Sequence, residues 1–285
     1  MLRCNLHTHT KFCDGKDDCE SLVLCAIEKG FDTLGFSGHS YTFFDESYCM
    51  SKDDTKRYRE EISALKQKYR GKIKILCGIE QDFYSEESTE GYDFVIGSVH
   101  YILMNGEYIE IDGSSEQFVK SVQKHTNGDF YVFAKKYYET VGMVYEKTKA
   151  DIIGHFDLIT KFNENSRLFD ESDPRYLNCA QKAVESIMLS AKKSINTGEK
   201  SPLTSESVFA VQKDISQFSK EVHAPIFEIN TGAMARGYKT QPYPSKDILK
   251  MIKNAGGKLI FSSDCHDKEF LDFAYDEVLA LSYDV

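Results

Sequence analysis

Imidazoles and carboxylates recur along this chain, each time directly after a short apolar stretch. His7 and His9 stand in Asn5-Leu6-His7-Thr8-His9, His39 closes Gly35-Phe36-Ser37-Gly38-His39, and Glu80 closes Leu76-Cys77-Gly78-Ile79-Glu80. His100 follows Gly97-Ser98-Val99, His155 follows Ile152-Ile153-Gly154, and Asp264 and His266 follow Leu259-Ile260-Phe261-Ser262-Ser263. One residue separates His7 from His9, and on extended backbone that spacing sends both rings to one side. Asp264-Cys265-His266 repeats the geometry near the other end. A carboxylate at a strand end, such as Glu80, can bridge two cations. Asp14, in Phe12-Cys13-Asp14-Gly15-Lys16, either reaches the same place or is a turn residue beside Gly15. Mixed nitrogen and oxygen donors suit zinc, iron, manganese or cobalt. Nine candidates exceed one mononuclear centre and suffice for two or three divalent ions. Ions about 3.5–4 Å apart can bridge a hydroxide and clamp a phosphoryl group. Phosphate-monoester hydrolysis is among the slowest uncatalysed reactions and demands such help.

Donors so far apart in sequence need a scaffold that gathers them. The pattern alternates strand and helix. Strands are expected near 2–6, 33–37, 72–80, 93–99, 151–154, 225–230 and 258–262, with a hairpin over 101–111 turning at Asn105-Gly106. Helices are expected near 18–29, 52–70, 115–124, 130–148, 174–195, 205–221, 244–254 and 268–282. Asp17 with Glu20 resembles a capping box for the first, and Gly30 a C-cap. Strands joined through helices imply parallel crossovers and an α/β architecture. An open doubly wound sheet collects ligands from a few strands at one crevice. Here candidates follow at least six strands, the first and last included, so a closed ring with ligands at the C-terminal strand ends is the better reading. Six of the eight histidines lie at or just after strand ends; His125 and His223 do not, and take no site role.

Composition narrows the class. The chain has 285 residues, enough for one large barrel or two domains, and 41% hydrophobic content, ordinary for a soluble protein. No apolar run approaches the roughly 20 residues that span a bilayer. No signal peptide precedes the first motif, so the cytoplasm is the expected compartment. Eight cysteines stand singly without Cys-x-x-Cys, which disfavours both thiolate metal sites and a disulfide framework. A formal charge of −10 with no basic block argues against nucleic acid as a partner.

The ordered motifs resemble the polymerase-and-histidinol-phosphatase (PHP) superfamily over almost the whole chain. They are His7-x-His9, Asp14-Gly15, His39, Gly78-x-Glu80, Ser98-x-His100, Gly154-His155-x-Asp157 and Ser263-Asp264-x-His266. Within it, the length and the Gly-His-Phe-Asp-Leu stretch are similar to the monofunctional histidinol-phosphate phosphatases. The resemblance implies a single PHP phosphoesterase domain over 1–285, folded as a distorted (β/α)7 TIM-like barrel with a trinuclear centre. It implies hydrolysis of L-histidinol phosphate to L-histidinol and phosphate in histidine biosynthesis, by attack of a metal-bridging hydroxide. One metal takes His7, His9, Glu80 and Asp264; a second shares Glu80 and takes His100 and His155; a third takes Asp14, His39 and His266. Some relatives carry histidine at the position of Asp14.

The expected partner is a small-molecule phosphate monoester, with two or three zinc, iron or manganese ions as cofactors, no membrane, and room for homo-oligomerisation. Arg236, just after a predicted strand, is the leading phosphate-binding cation because its planar fork suits bidentate contact. Arg167 and Lys161, after His155, are further candidates. Asp264 or His266 can protonate the leaving alkoxide only by giving up part of a metal role. Tyr41, Phe43 and Tyr101 either flank an imidazole or simply pack. The alternatives are a PHP-type phosphodiesterase or nuclease, a phosphatase of another small ester, and a metal-binding regulator without turnover.

Overall fold

The computed structural model describes residues 3–197 and 225–277. Seven parallel strands stand side by side: β1 (Cys4–Asn5), β2 (Thr33–Phe36), β3 (Lys74–Asp82), β4 (Phe94–Ser98), β7 (Ile152–Ile153), β8 (Ile226–Asn230) and β9 (Lys258–Ser262). The ring closes between its first and last strands at the C-terminal end. There the His9 amide donates to the Cys265 carbonyl (2.8 Å) and the Cys265 amide to the His7 carbonyl (3.1 Å). Lower down, the Asn5 side chain does the joining, donating to Ser263 Oγ at 2.6 Å. The result is a nearly closed, distorted TIM-like barrel. The remaining strands, β5 (Tyr101–Met104) and β6 (Glu107–Glu110), form the expected hairpin, with Asn105 and Gly106 both at positive φ.

Side chains alternate across each strand. Cys4, Leu6, Leu76, Phe94, Ile96, Ile152, Ile226 and Ile260 fill the lower barrel. Gly78 leaves room for the Phe94 ring: a Cβ there falls 2.3 Å from a ring carbon. Outward residues meet helices in two groups. Helices α1 (Cys19–Glu28) and α2 (Lys52–Lys68) cover one flank with Leu22, Val23, Tyr58 and Ile62. On the other, α3 (Ser115–Thr126), α4 (Phe130–Thr148), α6 (Pro174–Thr197) and the helix Lys246–Asn254 pack through Phe118, Phe133, Tyr138, Val184 and Ile248. A short turn, α5 (Asn163–Ser166), precedes α6.

Caps are local and polar. Asp18, not Asp17, caps α1 by accepting from Ser21 N (2.8 Å). Asp17 instead accepts the Lys268 amide, and Glu20 pairs with Lys68 and Tyr69. The helix expected over 268–282 is replaced, as far as Ala274, by a 3-10 turn at Lys268–Phe270; Ala274 at φ 55° breaks helical continuity. The expected helix 205–221, His223 and residues beyond 277 lie outside the described residues. All eight cysteines are free thiols. Among the described residues no helix is long and apolar enough to cross a membrane.

Candidate metal centre

Above the apolar layer the same inward positions turn polar. On β3, Leu76 and Gly78 give way to Glu80 and Asp82; on β8, Ile226 gives way to Glu228 and Asn230; β9 continues past Ile260 and Ser262 to Asp264. The structure brings all nine candidate ligands into one cluster around Glu80, which is buried. Glu80 Oε2 lies 3.2 Å from His7 Nε2, 3.5 Å from His9 Nε2 and 2.9 Å from His39 Nδ1. Its Oε1 lies 2.9 Å from His155 Nε2 and 3.4 Å from His100 Nε2, and accepts from Ser98 Oγ at 2.6 Å. Asp264 Oδ1 sits 3.2 Å from His9 Nε2 and 3.6 Å from His7 Nε2. Asp14 joins from the outer side, 3.6 Å from both His9 Nδ1 and His39 Nε2 and 3.2 Å from His266 Nε2. The His9 and His266 rings stack at 4.1 Å.

Three groupings have donor atoms within 4.8 Å of one another: His9, Asp14, His39 and His266; His7, His9 and Asp264; and His39, Glu80 and His100. Among the described residues, His7 Nε2, His9 Nε2, Glu80 Oε2 and His155 Nδ1 are buried without a hydrogen-bond partner. Orphaned buried polar atoms are costly. Several of them facing one another, nitrogen lone pairs beside carboxylate oxygens, is the donor set a cation satisfies, so these residues fit divalent ions.

The electrostatics agree. Burial opposes charge on Glu80, but the imidazoles of His7, His39 and His100 outweigh it and hold the carboxyl well below its usual range. Burial likewise opposes charge on Asp264, and Arg236 and His7 outweigh it. Asp14 is held down in the same way by His39 and His266. For His9, burial and then the neighbouring His266 and His39 push the ring down to about 3, leaving a neutral donor. His7 goes the other way: burial lowers it, but Glu228, Glu80 and Asp264 raise it well above normal. Protons and metal therefore compete at this ring.

Two functional candidates escaped the sequence reading. Glu228 accepts from His7 Nδ1 at 2.6 Å, and Asp82 lies 3.3 Å from His100 Nδ1. The signal for Asp82 was its place two residues beyond Glu80 on the same strand face. For Glu228 it was an acidic side chain between Phe227 and Ile229 in an otherwise apolar run.

The substrate-binding candidates separate. Arg236 reaches the mouth, donating to Asp264 Oδ2 (3.1 Å) and the Asp264 carbonyl (3.2 Å), with Nη1 3.0 Å from His266 Nδ1. Gly232 permits this pairing, since a Cβ there falls 2.6 Å from Asp264 Oδ2. Lys161 donates to Asp112 at its carbonyl (2.6 Å) and carboxylate (3.1 Å) and lies over the Phe162 and Tyr238 rings. Arg167 is exposed at φ 48°, its side chain without a partner among the described residues. The ring flanking His39 is Tyr48, edge-on at 4.9 Å, rather than Tyr41, Phe43 or Tyr101. Tyr41 bonds Glu46, Phe43 is exposed against Phe44 and Tyr108, and Tyr101 bonds Asp45.

Comparison with known proteins points one way. The family described as PHP domain matches residues 5–193. A Schizosaccharomyces pombe protein named "Probable histidinol-phosphatase" is 28% identical over 97% of this chain and 84% of its own length. A Bacillus subtilis histidinol-phosphatase is 24% identical over 96% of this chain and 97% of its own length. A Lactococcus lactis histidinol phosphate phosphatase, solved with zinc, L-histidinol and phosphate, superposes with a TM-score of 0.63 at 18% identity, covering 99% of this chain and 93% of that one.

Proposed function

This chain belongs to the PHP domain family, and on that premise we propose that it hydrolyses L-histidinol phosphate to L-histidinol and phosphate, a step of histidine biosynthesis. The observation that carries the reading is the convergence of unpartnered imidazole nitrogens and carboxylate oxygens around Glu80. The names of the yeast and Bacillus relatives, each aligned over nearly the whole chain, support the substrate.

In this reading His7, His9, Glu80 and Asp264 hold one divalent ion, Glu80, His100 and His155 a second, and Asp14, His39 and His266 a third; zinc, iron and manganese all suit the donor set. When bound, such ions stabilise charge on a phosphoryl group and lower the pKa of water to about 7. The protein's own residues do the rest. Arg236, fixed at the mouth by Asp264, would turn toward a phosphate oxygen the N–H donors that Asp264 and His266 leave over. His266 is the most exposed imidazole of the nine-residue set, at 21%. It would supply the proton to the leaving oxygen; Asp264, kept ionised by Arg236 and the neighbouring imidazoles, is the poorer donor of the two. Lys161, held by Asp112, and the exposed Arg167 are the remaining candidate guides for the ester. Phe94 and the apolar layer beneath keep water from entering below.

The reading takes the whole chain as one phosphoesterase domain acting in the cytoplasm. The family match ends at residue 193, yet β8 and β9 complete the ring and carry Glu228 and the approach to Asp264. The test is metal analysis of protein purified without added metal, with parallel assays on histidinol phosphate, p-nitrophenyl phosphate and single-stranded DNA. Hydrolysis of histidinol phosphate is expected. Cleavage of DNA alone turns the reading to a nuclease, and full metal occupancy without any hydrolysis turns it to a regulator.

A further inference from the structure

The geometry points to Glu228 and Asp82 as a matched pair of positioning residues that fix the rings of His7 and His100 so that each presents its Nε2 to a different oxygen of Glu80. This deepens the proposed metal reading and rests on it. A carboxylate oxygen can only accept, so His7 Nδ1, 2.6 Å from Glu228 Oε1, must be the donor. In the neutral, metal-binding ring the lone pair is then left on Nε2, which is buried without a hydrogen-bond partner among the described residues, 3.2 Å from Glu80 Oε2. On the opposite side His100 Nδ1 lies 3.3 Å from Asp82 Oδ2, and His100 Nε2 lies 3.4 Å from Glu80 Oε1. Both outer carboxylates are themselves held by neighbouring N–H donors. Glu228 Oε2 accepts from the His155 amide (3.1 Å) and from Asn230 Nδ2 (3.1 Å). Asp82 accepts from the Tyr84 amide at Oδ1 (2.8 Å) and from the His100 amide at Oδ2 (3.1 Å).

A packing role alone does not account for Glu228. It is buried at 1% exposure, and among the described residues its only ionisable partner is His7. A buried carboxylate without a cation is strongly unfavourable. A ring that donates to it on one side and binds a metal ion on the other relieves that cost, and partners of this kind orient metal-binding histidines. Glu228 also grips the amide of His155, so one side chain ties together residues assigned to two different ions.

The substitution Glu228→Gln gives a sharp test. The Oε2 position receives two N–H donors, so the amide oxygen must settle there and the NH2 must face His7 Nδ1. His7 then carries its proton on Nε2, where the lone pair is needed. Zinc affinity, read by chelator competition, is expected to fall about 10–100-fold in Glu228→Gln and less in Asp82→Asn, whose contact is longer. Glu228→Asp, which restores an acceptor, is expected to bind more tightly than Glu228→Gln. The zinc-dependent rise in Tm shrinks with the affinity, whereas the metal-free Tm falls less than the zinc-loaded one. Unchanged zinc affinity in both Glu228→Gln and Asp82→Asn overturns the inference, as does an equal Tm loss with and without zinc. If Glu228→Gln does not fold, Asp82→Asn decides by the same measures. A wild-type protein that binds no zinc, iron or manganese sinks the metal reading and this inference together, whereas wild-type binding with unchanged variants sinks this inference alone.

Discussion

The barrel interior has two storeys with opposite demands. Below, Leu76, Phe94, Ile152, Ile226 and Ile260 interlock without a polar side chain among them. Above, on inward positions of the same strands, Glu80, Glu228 and Asp264 crowd against imidazoles, and several buried atoms have no partner. A step of four residues on β3, from Leu76 to Glu80, crosses from packing to chemistry. The lower storey stabilises without specifying a reaction. The upper one gathers carboxylates and unpartnered atoms in one place and is held there by the lower one and the surrounding helices. Stability and activity therefore separate along the barrel axis.

The largest effect is expected in the upper storey. Asp264→Ala, or His9→Ala, lowers turnover of histidinol phosphate by at least about 10³-fold and lowers metal content, while the circular dichroism spectrum stays native. Unchanged turnover in both variants breaks the assignment. Leu76→Ala does the converse: urea unfolding shows a loss of about 2–5 kcal/mol, with zinc stoichiometry preserved. Loss of zinc without loss of stability in that variant erases the distinction between storeys.

A third prediction concerns Asp157, just outside the barrel. Burial, opposed by Lys239, raises its carboxyl from 3.8 to about 6, a difference worth about 3 kcal/mol. The folded state then holds the proton more tightly than the unfolded one. This stability is fully present below about pH 4 and is lost as pH rises through about 6. Glu80, Asp264 and Asp14 are shifted downward and act in the opposite sense, losing their contribution in acid. The difference between Asp157→Asn and wild type isolates the one group: the variant gains relative stability between pH 4 and 7. A pH-independent difference removes the argument.

Arg236→Ala is expected to raise KM about tenfold, the worth of one charge-assisted hydrogen bond, and to lower kcat as well if the contact strengthens in the transition state. Wild-type kinetics take Arg236 out of the site. Smallest is Arg167→Ala, expected within about twofold of wild type for an exposed side chain without partners; a tenfold loss would promote it to a direct phosphate contact.

The upper storey was far more readable from sequence than its supports. Imidazoles at strand ends announce themselves because His7-x-His9 and Asp264-x-His266 keep strand periodicity beyond the last apolar residue. The ring followed from their number, although β1 and β7 have only two paired residues each. Glu228 announces itself only as one acid in an apolar run, and a strand buried on both sides has no polar face to show which way that acid points. Asp17 and Asp18 are equally good caps by type, and only the backbone's entry angle selects Asp18. The break in the first half of the last expected helix was hidden because Ala274 takes a left-handed conformation that composition does not advertise.

The seam between β1 and β9 has a consequence for biogenesis. His7 and His9 leave the ribosome early, whereas Cys265, whose backbone locks theirs in place, and the flanking Asp264 and His266 follow more than 250 residues later. A nascent chain holds seven of the nine donors, but the first and third ion sets are each one residue short until that late segment docks. Completion of those two sets is thereby deferred to the close of maturation, and a truncated translation product lacking the β9 segment would keep only the set of Glu80, His100 and His155 whole.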